Sequence, residues 1–93
     1  MNKYIYEMVT LSRWGDDSSR GFYIDHHFED YFLSKKKALS FLYDFIEFLL
    51  KEGLIENYEL YEYTNKNGSM ICKFRTWNGK KYEFFGIVRN KIL

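Results

Sequence analysis

Between Ser34 and Gly53 the chain reads SKKKALSFLYDFIEFLLKEG, and no other stretch sustains apolar residues at helical spacing for so long. With each residue advancing about 100° around the axis, Ala38, Leu42, Phe45 and Leu49 fall in one stripe. Phe41 and Phe48 flank the stripe on one side, and Leu39, Ile46 and Leu50 on the other. Ser40, Asp44, Glu47 and Lys51 occupy the opposite face, with Glu47 four residues ahead of Lys51 in the favourable order for a helical ion pair. Ser34 can accept a first-turn amide hydrogen as N-cap, and Gly53 suits the left-handed C′ position, so the helix has both a start and a stop.

Two properties of this helix shape expectations for everything around it. Its apolar arc spans roughly 200°, about twice the stripe needed to lie on one sheet. A curved sheet, the N-terminal segment, a second copy of the chain or a partner must therefore cover a flank, with Phe41 and Phe48 among the candidates. Lys35, Lys36 and Lys37 put positive charge in the first turn, where the helix dipole favours acids. Three solvated lysines explain this, and a site for an anion or an acidic partner is the functional alternative.

The flanking segments read as strands. Lys3 to Ser12 forms a first strand, Arg13 to Arg20 a polar loop with a Gly15-Asp16 turn, and Gly21 to Phe28 a second strand. Period-two alternation puts Phe22, Ile24, His26 and Phe28 on one face of that strand and Tyr23, Asp25 and His27 on the other. After the helix come strands over Asn57 to Thr64, Ser69 to Trp77 and Lys80 to Arg89. Asn78-Gly79 predicts a two-residue type I′ turn that pairs Trp77 with Lys80.

That register assigns Met70, Cys72, Phe74, Phe85 and Ile87 to a core face under the helix. Lys73, Arg75, Trp77, Lys80, Tyr82 and Phe84 go to the other face. A two- or four-residue loop near Asn67-Gly68 sets Tyr61 and Tyr63 beside the core set and Tyr58, Leu60 and Glu62 on the opposite face, whereas a three-residue loop buries Leu60. The expected fold is α+β, one domain over 1–93 in the order ββαβββ: a β-hairpin with a polar loop over 1–33, the helix over 34–53 and a three-stranded meander over 54–93. The strands merge into one antiparallel sheet with the helix on one face and the other face open.

Composition narrows the function classes. The net charge of +1 argues against an indiscriminate polyelectrolyte binder. It conceals a gradient, because residues 1–33 hold three basic and six acidic side chains while residues 70–93 hold six basic ones and only Glu83 as an acid. A single cysteine, Cys72, excludes an internal disulfide and a cysteine cluster for zinc. No signal-peptide pattern or membrane-spanning run is present, so no membrane partner and a cytoplasmic setting are expected.

Three constellations carry candidate chemistry. On the open face, Lys73, Arg75, Trp77, Lys80, Tyr82 and Phe84 interleave cations with rings, a pattern suited to protein anchoring or to stacking single-stranded nucleic acid. It also serves simply to protect an exposed sheet. Asp25-His26-His27 is the densest run of catalytic or ligating types, and Asp25 with His27, on one face, are weak candidates for a metal, with Glu29, Asp30 or Asp16-Asp17 completing the site. The tripeptide matches that of the DHH phosphoesterases, but the further metal-ligand motifs of those larger enzymes are absent. A nucleophile elbow, a P-loop and a dinucleotide fingerprint are also lacking, and Cys72 reads as a small buried core residue.

In size, aromatic content and lack of catalytic motifs the chain resembles the small proteins encoded by phages and mobile elements, anti-CRISPR inhibitors included. The resemblance is one of type and implies a protein that occupies a surface of a larger machine. The expected function is a non-catalytic binding module, without cofactor, that docks on a protein or protein–nucleic acid complex and inhibits or modulates it. A nucleic-acid binder using the same face with Lys35 to Lys37 is the alternative, and a metal-dependent enzyme at Asp25 and His27 is the third.

Overall fold

In a computed structural model the described residues are 3–13 and 21–92. Strands β1 (Lys3–Arg13) and β2 (Phe22–Phe32), helix α1 (Lys35–Lys51), and strands β3 (Asn57–Thr64), β4 (Met70–Trp77) and β5 (Tyr82–Ile92) follow in that order. All neighbouring strands are antiparallel in one sheet of order β2-β1-β5-β4-β3. The ββαβββ domain with one helix on one face is therefore as expected. The Gly15-Asp16 turn and the Asp16-Asp17 pair lie outside the described residues. No described helix is long and apolar enough to cross a membrane.

Both ends of α1 form as the local sequence dictates. Ser34 is extended, and its hydroxyl accepts a hydrogen bond from the Lys37 amide at 3.1 Å. At the other end Gly53 has φ +74°, its amide donates to Leu50 O and the Leu54 amide donates to Leu49 O, the paired bonds of a Schellman motif. Glu47 accepts the Tyr58 hydroxyl of β3, a different use of this carboxylate from the expected partner Lys51. The bond to a carboxylate raises the pKa of Tyr58.

Ala38, Leu42 and Ile46 are the buried residues of α1, so the contact line runs closer to Ile46 than periodicity alone placed it. They pack on Met8, Phe74, Phe85 and Ile87, with Phe28, Phe45 and Leu49 around the margin. Phe41 and Phe48 stay exposed, as does Leu50, so the sheet does not enclose both flanks of the helix.

Single-residue irregularities overturn several face assignments. Lys73 is an extra residue in β4: Cys72 pairs with Gly86, but Phe74 pairs with Phe85. Met70 and Cys72 consequently leave the helix side, where they were expected, and join Val9, Leu11, Phe84 and Val88 in a second core on the other face. Asp25 plays the same part in β2, since His26 pairs with Thr10 and Ile24 with Leu11. Phe22 and Ile24 therefore belong to the second core, while Phe28 packs toward the helix.

The Asn78-Gly79 hairpin also differs in detail. Trp77 pairs with Tyr82, leaving four residues in the loop, and the Asn78 side-chain oxygen accepts the amides of Lys80 and Lys81. A four-residue loop keeps the parity of a two-residue one, so the faces of Trp77, Tyr82 and Phe84 survive. In β3, Tyr61 and Tyr63 do neighbour Cys72 and Met70, but in the second core, whereas Tyr58 packs on the helix side and Leu60 is exposed.

The second face is not left open along its length. Phe22 of edge strand β2 meets Tyr61 and Tyr63 of the opposite edge, β3, with ring centroids 5.9 and 4.9 Å away, and Phe84 at 5.0 Å. The two edges thus meet across the curled sheet, which buries Val9 and Cys72 completely.

Candidate partner-binding surface

The hairpin of β4 and β5 brings three of the expected site residues into one stack. Trp77 and Tyr82 are cross-strand partners with ring centroids 4.7 Å apart. One step along, Arg75 lies over the Tyr82 ring, its guanidinium carbon 4.4 Å from the centroid. Glu59 of β3, the Cα partner of Arg75, holds the guanidinium from the other side by an ion pair. Tyr82 remains 54% exposed, and the buried Arg75 Nε has no hydrogen-bond partner among the described residues.

The other residues of the expected face are not equivalent. Phe84 is buried at the base, beneath Phe22, Tyr61 and the Arg13 guanidinium. Lys73 donates to Glu62 at 2.7 Å, and this bond raises its pKa. Lys80 is exposed in the loop. Beside Tyr82 a pocket of about 290 Å³ opens between the ends of β1 and β5, lined by Arg13, Lys81, Glu83 and Phe84 among others.

The secondary candidates occupy the helix side of the sheet. Lys35, Lys36 and Lys37 are exposed in the first turn, Phe41 leans on Phe32 at 5.1 Å and Phe48 stacks against Phe45 at 6.4 Å. They lie across the sheet from the Arg75–Tyr82 stack, so the two groups do not form one continuous surface.

Asp25 and His27 do not converge as the shared-face reading required. The bulge at Asp25 breaks the alternation, and His27 turns its Nδ1 to Oε1 of Glu7 at 2.9 Å. Among the described residues no group of three His, Cys, Asp or Glu side chains is placed to hold a metal ion. Cys72 is buried, and desolvation pushes its thiol up to about 12. Glu7 and Glu59 are polar partners that the sequence reading did not single out. Glu59 faces Arg75 directly, a relationship visible only once the β3–β4 register is known.

Comparison of the chain with protein-family models, with curated proteins and with solved structures finds no match.

Proposed function

We propose that this protein is a small non-catalytic binding module that docks on a larger macromolecular partner through the surface built on Arg75, Trp77 and Tyr82, and blocks or modulates that partner. The observation that carries this reading is the cluster in which an exposed tyrosine touches both a tryptophan and an arginine. These residue types dominate the energetics of protein interfaces, and side chains already held in place lose little freedom when they bind.

Charge supports a protein surface over a polyphosphate. The strand cation of this stack, Arg75, already has an acidic partner in Glu59. A polyphosphate that displaced it would be left beside that carboxylate. Action against a host defence machine, as the phage-like character implies, is the setting in which a module of this kind would work.

Affinity purification from host lysate tests the proposal, comparing the wild-type chain with an Arg75→Glu/Trp77→Ala variant whose dispersed amide spectrum shows that it is folded. The expected result is a protein retained by the wild type and lost from the variant. An identical set of retained proteins would remove this surface from consideration. Retention of single-stranded oligonucleotides, with affinity falling steeply as salt rises, would point instead to nucleic acid.

A further inference from the structure

On the helix side of the sheet a second cleft of about 290 Å³ runs between the C-terminal half of α1 and strands β2, β1 and β5. This is near the lower end of the range for ligand pockets, roughly 300–1,000 Å³. Its walls divide by chemistry. Phe28, Phe45, Leu49, Leu54, Ile55 and Phe85 line the apolar part. Asp25, His26, Glu83 and Thr10 line the remainder, and among the described residues no lysine or arginine lines this cleft.

The polar end exists because the sheet parts there. Pairing of β1 with β5 ends at Leu11 and Phe84, while β1 continues alongside β2 to Arg13 and β5 alongside β4 to Tyr82. Asp25 is the bulged residue at this parting, and with Thr10 and Glu83 it also lines the pocket beside Tyr82. Arg13 and Lys81 belong to that other pocket, and among the described residues neither forms an ion pair with Asp25 or Glu83.

Two further features point to a ligand. Thr10 is 7% exposed, and its strand neighbours His26 and Phe85 both line the cleft, yet among the described residues its hydroxyl has no hydrogen-bond partner. The rings of Phe28, Phe45 and Phe85 lie 5.5 to 6.4 Å from one another and offer faces to an apolar body or a cation.

We infer that this cleft binds a small amphipathic primary amine, with the ammonium group between the Asp25 and Glu83 carboxylates and the Thr10 hydroxyl, and an aryl or alkyl body against Phe28, Phe45, Leu49 and Phe85. An acid of the same shape would meet two like charges with no cation to offset them, and a neutral alcohol would leave the carboxylates without a counter-charge. Thr10, Asp25 and Glu83 are shared with the pocket beside Tyr82, but neither Arg75 nor Trp77 lines the cleft.

Titration of the full chain with 2-phenylethylamine, followed by amide chemical shifts at neutral pH, tests the inference. Saturable shifts are expected at Phe28, Phe45, Leu49, Ile55 and Phe85, with a dissociation constant of about a millimolar. Weaker binding is expected for 2-phenylethanol and 3-phenylpropionate. An Asp25→Asn/Glu83→Gln variant should bind the amine about fivefold more weakly or worse, with the alcohol unaffected. Equal binding of the acid, full retention of the amine by that variant, saturation only by Nα-acetyl-lysine methylamide, or no saturable shift would each overturn it. The amine–acid comparison on the wild type decides even if the variant does not fold. Arg75→Glu/Trp77→Ala should leave the amine titration unchanged.

Discussion

His27 Nδ1 lies 2.9 Å from Oε1 of Glu7, a carboxylate that is 2% exposed on the interior strand β1 and whose second oxygen has no hydrogen-bond partner among the described residues. The imidazole is itself half-exposed, so among the described residues one exposed side chain is the partner of a buried charge-bearing group. Removing it should be felt strongly. His27→Ala is expected to lower unfolding free energy by about 1–3 kcal/mol, because the carboxylate is left buried and unpaired. In a Glu7→Met background the same substitution should change stability by less than about 0.5 kcal/mol, and Glu7→Met alone should be neutral or stabilising. Urea unfolding of the four proteins closes the cycle, and an equal effect of His27→Ala in both backgrounds would show that the pair is not coupled.

Gly86 marks the place where β4 crowds β5. A methyl group there would sit 1.9 Å from the Ile71 carbonyl oxygen and 3.0 Å from the Cys72 Cα. Both contacts are backbone, next to the Lys73 bulge, and cannot move without reopening the ladder. Gly86→Ala should destabilise by about 3 kcal/mol or more. Gly53→Ala, which meets nothing within 4 Å but keeps the left-handed conformation, should cost only about 1 kcal/mol. Denaturant midpoints for the two variants measure the contrast, and similar losses would refute the close approach.

Cys72 should make the fold sensitive to alkali. Its thiol rises from an ordinary value of 9.0 to about 12 through desolvation, with Glu62 adding to the effect. The unfolded chain loses this proton first, so the contribution is complete below pH 9 and declines as pH climbs toward 12. Tyr58 and Lys73 are raised as well and act in the same direction. Cys72→Val should therefore lessen, without abolishing, the loss of stability across this window in pH-dependent urea unfolding. At pH 8 the native thiol should react with a disulfide reagent far more slowly than in urea, and equal rates would contradict its burial.

The first turn of α1 can be tuned in both directions. Ser34→Ala removes the acceptor for the Lys37 amide and should cost about 1 kcal/mol. Lys36→Glu introduces an acid into a first turn that has none and should gain about 0.3–1 kcal/mol at low salt, less as salt is raised. Thermal unfolding of each variant reads both effects, and a destabilising Lys36→Glu would show that this lysine makes a contact more valuable than its conflict with the dipole.

The helix was legible because its determinants are local: the helical spacing of Ala38, Leu42, Phe45 and Leu49, the hydroxyl of Ser34 and the freedom of Gly53. Strand existence was similarly local. Which face a strand presents was not, since one extra residue at Asp25 or Lys73 inverts every side chain beyond it, and such a bulge is set by contacts with another strand. Met70 and Cys72 were misplaced for that reason alone. Arg75, Trp77 and Tyr82 were grouped correctly because lengthening the Asn78-Gly79 loop by two residues preserves parity. The acidic partner of Arg75 escaped notice because Glu59 reaches it only through the β3–β4 register.

The adjacency of β1 and β5 has a kinetic side. Lys3 stands opposite Ile92, so the middle of the sheet is a seam between segments separated by nearly the whole described chain. Hairpins such as β4–β5 can form over short loops, but joining β1 to β5 requires closure of a very long one, whose entropy must be met before the contacts of Met8 and Val9 with the rest of the sheet repay it. Closure of the seam is thus expected to be the late, slow event in folding, and its parting would open both cores at once.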